Sequence, residues 1–156
     1  GRIVKESNKY YYETIKTKIL GLFRGSKEVS ELTPGGSMSI ETELDMTVGK
    51  SDALAGNVLS IKGKLPDLTQ NVRIKFTLFP EVFSINEKIQ VAPIKQPEIL
   101  MLSINTSTTG GAVTSLKKDE LEISLKVPIV AFKGDNVGIA RNIQGHWRLI
   151  GYGKII

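Results

Sequence analysis

The chain has 156 residues, 40% of them hydrophobic and 24% charged, with a formal net charge of +5 and an isoelectric point near 9.4. That length suits one ordinary domain, or a small barrel with part of another, and the composition is globular rather than disordered. With no cysteine and one histidine, a disulfide framework, a thiolate site and a histidine-based zinc site are excluded.

No apolar run reaches the length of a membrane-spanning helix, and the first residues lack the layout of a secretory signal. A cytoplasmic protein with no membrane partner is therefore expected. The positive charge favours a polyanion such as RNA without identifying one.

In chain order, the first strong signal is Tyr10-Tyr11-Tyr12-Glu13-Thr14-Ile15-Lys16-Thr17-Lys18-Ile19. Ile15, Ile19, Leu22 and Phe23 also fit helical spacing, but the tyrosines and the Thr/Ile content decide for strand. Pro34-Gly35-Gly36 is a turn, after which Met38, Ile40, Thr42 and Leu44 alternate with Ser39, Glu41 and Glu43 as a strand with one wet face. Residues 47–55 read as a boundary between two barrels, placed at 48/49. Asn57 to Ile61 and Val72 to Leu78 read as strands joined through a turn at Leu65-Pro66-Asp67.

Residues 79–97 are punctuated by prolines and read as a looser segment. Ile99-Leu100-Met101-Leu102 is a continuous apolar run, expected to be a strand buried on both faces. Asn105 to Gly111 is a loop by composition. Val113 to Lys117 and Leu121 to Val127 form a hairpin about Lys118-Asp119. The closing hairpin turns at Gln144-Gly145, and period two places Trp147, Leu149, Gly151, Gly153 and Ile155 on its inner face. Glycines on an inner face suit close approach of another backbone. No stretch shows capped, sustained helical periodicity, so the fold is expected to be all-β, built of small barrels.

Candidate chemistry is sparse. Gly49-Lys50-Ser51 ends like a phosphate-binding loop, but Leu44 stands where that loop needs a glycine and no apolar helix follows. Asp135-Asn136-Val137-Gly138 fits a nucleotide-sensing pattern and is better read as a turn. The acids Asp45, Asp52, Asp119 and Glu120 also fall in turns. No nucleophile, base and oxyanion donor come together, so no catalytic residue and no metal ligand is expected. The basic residues suggest phosphate contacts, Arg141 and Arg148 in particular, and Tyr10, Tyr11 and Tyr12 are the aromatic candidates for base stacking.

Gly138-Ile139-Ala140-Arg141 followed by Gly145-His146-Trp147-Arg148-Leu149-Ile150-Gly151-Tyr152-Gly153 resembles the end of the third domain of the gamma subunit of archaeal and eukaryotic translation initiation factor 2. Upstream, Pro34-Gly35-Gly36, Leu44-Asp45, Lys50-Ser51-Asp52 and Ser107-Thr108-Thr109-Gly110-Gly111 match that family's pattern in order. Glu41 and Met46 depart from it, standing where the family has glycine and proline. The resemblance runs from Tyr12 to Ile155. It implies that 1–48 is the second half of a domain-two barrel and 49–156 a complete domain-three barrel, with a GTP-binding domain outside this sequence.

The function implied is support of GTP-dependent delivery of initiator methionyl-tRNA to the small ribosomal subunit. The implied partners are the GTPase domain of the same subunit, alpha and beta subunits, the initiator tRNA and the small ribosomal subunit. GTP and Mg belong to the domain outside this sequence, and the chain alone is expected to be inactive as a GTPase. The turn Pro34, Gly35, Gly36, Ser37 is the one the resemblance sets near the aminoacyl end of tRNA. A stand-alone β-barrel that binds RNA or a protein without any GTPase role is the alternative.

Overall fold

The structure, a computed structural model, describes residues 2–6, 9–82 and 88–156, with side chains from Tyr12 onward in that range. The side chains of Lys5, Lys9, Tyr10 and Tyr11, and residues 83–87 of the looser segment, lie outside the described residues. The chain divides into two compact units, 1–55 and 56–156. The division expected at 48/49 falls within the first.

In the first unit β1 (Arg2–Glu6) and β2 (Lys9–Glu13) form an antiparallel ribbon. β3 (Ile19–Arg24), β4 (Lys27–Glu28) and β5 (Ser39–Thr42) form a sheet in the order β4-β3-β5. The tyrosine tract is strand as expected, but only to Glu13; residues 14–18 belong to no strand. Gly21 is buried because a Cβ there would meet the Phe23 ring at 2.8 Å. The apolar face expected of Met38 and β5 is largely open, with Met38 40% and Ile40 38% exposed. A short helix, α1 (Met46–Gly49), and a 3-10 turn at Lys50–Asp52 follow.

The second unit holds β6 (Thr69–Leu78), β7 (Glu81–Val82), β8 (Ile89–Gln90), β9 (Ile99–Ile104), β10 (Ser107–Lys117), β11 (Glu120–Ile129), β12 (Asn136–Ile143) and β13 (His146–Ile155). β7 and β8 pair with each other, and the other six close into an antiparallel barrel in the order β10-β11-β6-β13-β12-β9. The core is what period two delivers from each wall: Ile74, Leu100, Leu102, Ile104, Ile123, Ile139 and Ile150 are fully buried. Closure removes the sheet edges, so every barrel strand has two neighbours.

The turn expected at Asp135 to Gly138 is strand from Asn136 onward, the first residue of β12. Four further expectations are corrected. Asn57 to Ile61 is not a strand: among the described residues it joins no sheet, and Leu59 and Ile61 are exposed. Ile99 to Leu102 is strand but not buried on both faces, because a barrel wall has an outside, and Ile99 is 69% exposed there. The presumed loop at 105–111 turns only at Asn105-Thr106 and then enters β10. Gly111 serves packing, since a Cβ there would lie 2.7 Å from the Ser124 carbonyl oxygen, and Thr109 is buried with its hydroxyl donating to the Val127 carbonyl at 2.9 Å.

The fourth correction concerns the closing hairpin. Its turn is where expected, with Gln144 and Gly145 at positive φ of 53° and 82°. Gly153 and Gly151 do admit close backbones: a Cβ on Gly153 would stand 2.5 Å from the Lys75 carbonyl oxygen. Trp147 and Leu149 are not inward. Ala140 pairs with Leu149 and Ile139 with Gly151, so Ile150 is an extra residue, a bulge. The bulge inverts the phase, burying Ile150 and Gly151 in succession and leaving Trp147 41% and Leu149 45% exposed.

Candidate functional site

The first group of candidates is the turn after β4. Pro34, Gly35, Gly36 and Ser37 are all exposed. Gly35 and Gly36 have φ of +111° and +70°, a backbone that L side chains rarely adopt, which is why glycine occupies both positions. A Cβ on Gly35 would meet nothing within 4 Å, so the backbone there is open to an approaching group.

The turn is fastened from β3. The Arg24 guanidinium donates to the Gly35 carbonyl at 2.9 Å and to the Thr33 carbonyl at 2.9 Å, with a longer bond to the Thr33 hydroxyl at 3.4 Å. Sequence reasoning did not single out Arg24. Its acceptors are backbone carbonyls nine and eleven residues away, and a carbonyl has no signature in the sequence.

The second group lies in the other unit. Arg141 and Arg148 are directly paired across β12 and β13, yet their side chains have different fates. Arg141 forms an ion pair and hydrogen bond with Glu98, and its guanidinium also donates to the carbonyls of Ala92 at 2.8 Å and Pro93 at 3.2 Å. It thereby pins the segment before β9 to the end of the barrel, with its side chain only 16% exposed. Arg148 is half-buried and has no hydrogen-bond or ion-pair partner among the described residues. Of the two, Arg148 offers the uncommitted charge. Glu98, also missed in the sequence, lies forty-three residues from its partner, a separation no local pattern reveals.

The remaining candidates have local roles. Asp45 caps α1, accepting from the Thr47 hydroxyl at 2.5 Å and the Thr47 amide at 2.8 Å. These two bonds hold its carboxyl below the usual aspartate value. The Asp135 carboxylate accepts from the Asn105 side chain at 2.8 Å and the Phe132 amide at 2.9 Å, tying two turns of the barrel together. Asp119 lies 3.3 Å from Lys75 in an exposed ion pair, and His146 is exposed beside the closing turn. Gly49-Lys50-Ser51 spans the end of α1 and the 3-10 turn, with Ser51 and Asp52 at φ 56° and 58°. Among the described residues no helix starts after it to present amides to a phosphate, so these residues do not fit a nucleotide. Among the described residues no three His, Asp or Glu side chains converge as metal ligands would. No helix there is long and apolar enough to cross a membrane.

The family described as "Initiation factor eIF2 gamma, C terminal" matches residues 70–155, which takes in the whole barrel apart from the first residue of β6. The chain is 43% identical over 153 residues to the translation initiation factor 2 subunit gamma of Methanococcus maripaludis, covering 98% of this chain and 37% of that protein. It is 42% identical over 151 residues to the subunit of Pyrococcus horikoshii, and 40% identical over 152 to that of Methanocaldococcus jannaschii. Each match covers 97% of this chain and 37% of the relative. The chain thus spans under two fifths of the length of these relatives. With a closed antiparallel barrel and this similarity along nearly its whole length, the chain belongs to the translation initiation factor 2 gamma family, in its carboxyl-terminal part.

Proposed function

We propose that this chain is the part of an initiation factor 2 gamma subunit that supports delivery of initiator methionyl-tRNA to the small ribosomal subunit. The complete subunit works in the cytoplasm with GTP and with alpha and beta subunits. Residues 1–48 act as the second half of a domain-two barrel, and the following barrel acts as domain three. GTP, its Mg and their chemistry belong to the portion of the subunit that this sequence does not match. The observation that carries the reading is the Pro34-Gly35-Gly36-Ser37 turn, a surface of bare backbone in a chain of this family. Such a surface suits the aminoacyl end of tRNA, which a Cβ would obstruct. Arg148 supports it from the barrel as a phosphate contact, while Arg141 would first have to give up Glu98.

The test is a chimera in which this chain replaces its counterpart in the M. maripaludis gamma subunit, assayed for initiator tRNA binding with GTP present. Gly35→Val is expected to weaken binding of the charged tRNA more than the uncharged, because only the charged form carries an aminoacyl group. Equal losses for both forms in a folded variant would reduce the turn to a structural role. A chimera that binds unrelated RNA as well as initiator tRNA would favour a general RNA-binding barrel instead.

A further inference from the structure

The open turn is not held by its own backbone. Among the described residues no backbone hydrogen bond closes residues 33–37, and the amides of Gly35 and Gly36 have no acceptor there. Two successive glycines at positive φ would leave such a segment mobile. What fixes it is the fork of Arg24, whose nitrogens take the Thr33 and Gly35 carbonyls at 2.9 Å each. Arg24 has a stiff base: it is the last residue of β3, the central strand of its sheet, and pairs with Lys27 of β4. The guanidinium also stands 3.4 Å from where a Cβ of Gly36 would be, so it lines the turn as well as holding it.

We propose that Arg24 is the positioning residue of the aminoacyl-facing turn. It fixes the Thr33 and Gly35 carbonyls, so that the Gly35 and Gly36 amides remain as ordered, unspent donors for the ester carbonyl of a charged tRNA. The inference rests on the functional reading above. Because a planar fork grips two carbonyls and a single ammonium does not, lysine is not an equivalent. Had Arg24 acted instead as a phosphate contact, its charge alone would matter and lysine would serve nearly as well.

The experiment uses the same chimera with Arg24→Lys and Arg24→Ala, and measures Kd for charged and uncharged initiator tRNA. Both variants are expected to lose about tenfold in preference for the charged form, equivalent to about 1.4 kcal/mol, with uncharged tRNA bound as before. Amide 15N order parameters of Gly35, Gly36 and Ser37 are expected to fall in both, while those of the barrel strands stay unchanged. Restoration of the wild-type preference by Arg24→Lys would overturn the proposal, as would an equal loss for both tRNA forms or unchanged order parameters in the turn. If the unmodified chimera shows no preference for charged tRNA, the functional reading itself fails, an outcome separate from a wild-type preference that survives Arg24→Ala.

Discussion

Single residues divide by whether their neighbours can give way. Gly49 has an ordinary φ of −93° and open space around it, so Gly49→Ala is expected to leave stability within about 0.5 kcal/mol. At Gly151 an added Cβ would run into the Thr77 carbonyl oxygen and lie 3.1 Å from Leu78 Cα, both backbone atoms of the neighbouring strand. Gly151→Ala must push β6 and β13 apart and is expected to cost about 1–3 kcal/mol in a urea melt. A cost near zero would mean that the strands do not meet there.

The two arginines are expected to separate in the same way. Arg141→Ala removes the ion pair of a mostly buried Glu98 carboxylate, which then keeps the Lys95 amide, and is expected to cost about 2 kcal/mol of stability, whereas Arg148→Ala breaks no bond and stays within about 0.5 kcal/mol. At Asp45 the carboxyl is held below its ordinary value by the Thr47 hydroxyl and then the Thr47 amide. A lowered folded value means that the cap contributes above the ordinary aspartate range and is lost as pH falls through the lowered one. The Thr47 amide shift in NMR should titrate in that acid window, and Asp45→Asn should abolish the titration.

At the scale of elements, the bulge in β13 decides which large side chain matters. A period-two reading makes Trp147 a core residue; one extra residue transfers that role to Ile150. Ile150→Ala is expected to cost about 2–5 kcal/mol, because a fully buried side chain leaves a cavity. Trp147→Ala should cost much less, and the tryptophan emission of the unaltered protein should be that of a partly solvated ring. A larger loss at Trp147 than at Ile150 would contradict the phase inversion. The alternation in β6 and β11 was legible because Val72, Ile74, Leu121, Ile123 and Leu125 keep one phase along the barrel wall. The in-strand role of Gly111 was not, since glycine marks a loop locally and a close contact only when the facing wall is known.

For the molecule as a whole, the barrel carries a self-contained core, while the first unit leaves Ile19, Leu20, Met38 and Ile40 open. The chain by itself is expected to show no saturable GTP binding in a fluorescence titration, because Gly49-Lys50-Ser51 opens no helix and offers no ring of amides. Micromolar saturation would overturn that reading of the loop. In the chimera, Arg148→Ala is expected to lower the slope of log K against log salt by about 1 for charged and uncharged tRNA alike, as loss of one phosphate contact does.

The sequence alone determined the all-β class, the period-two walls of β6 and β11, the hairpin turns at Lys118-Asp119 and Gln144-Gly145, and the family. Each of these is written in residues adjacent in the chain or in fixed order along it. Only the tertiary structure decided that the six strands close on themselves, that Trp147 faces out, and that Arg141 is taken by Glu98 while Arg148 is left uncommitted. It also decided that Arg24 grips the glycine turn. The physical reason is common to all four. Each depends on a partner supplied from elsewhere in the chain, a facing strand, a carboxylate or a carbonyl, and local pattern carries no information about which partner arrives.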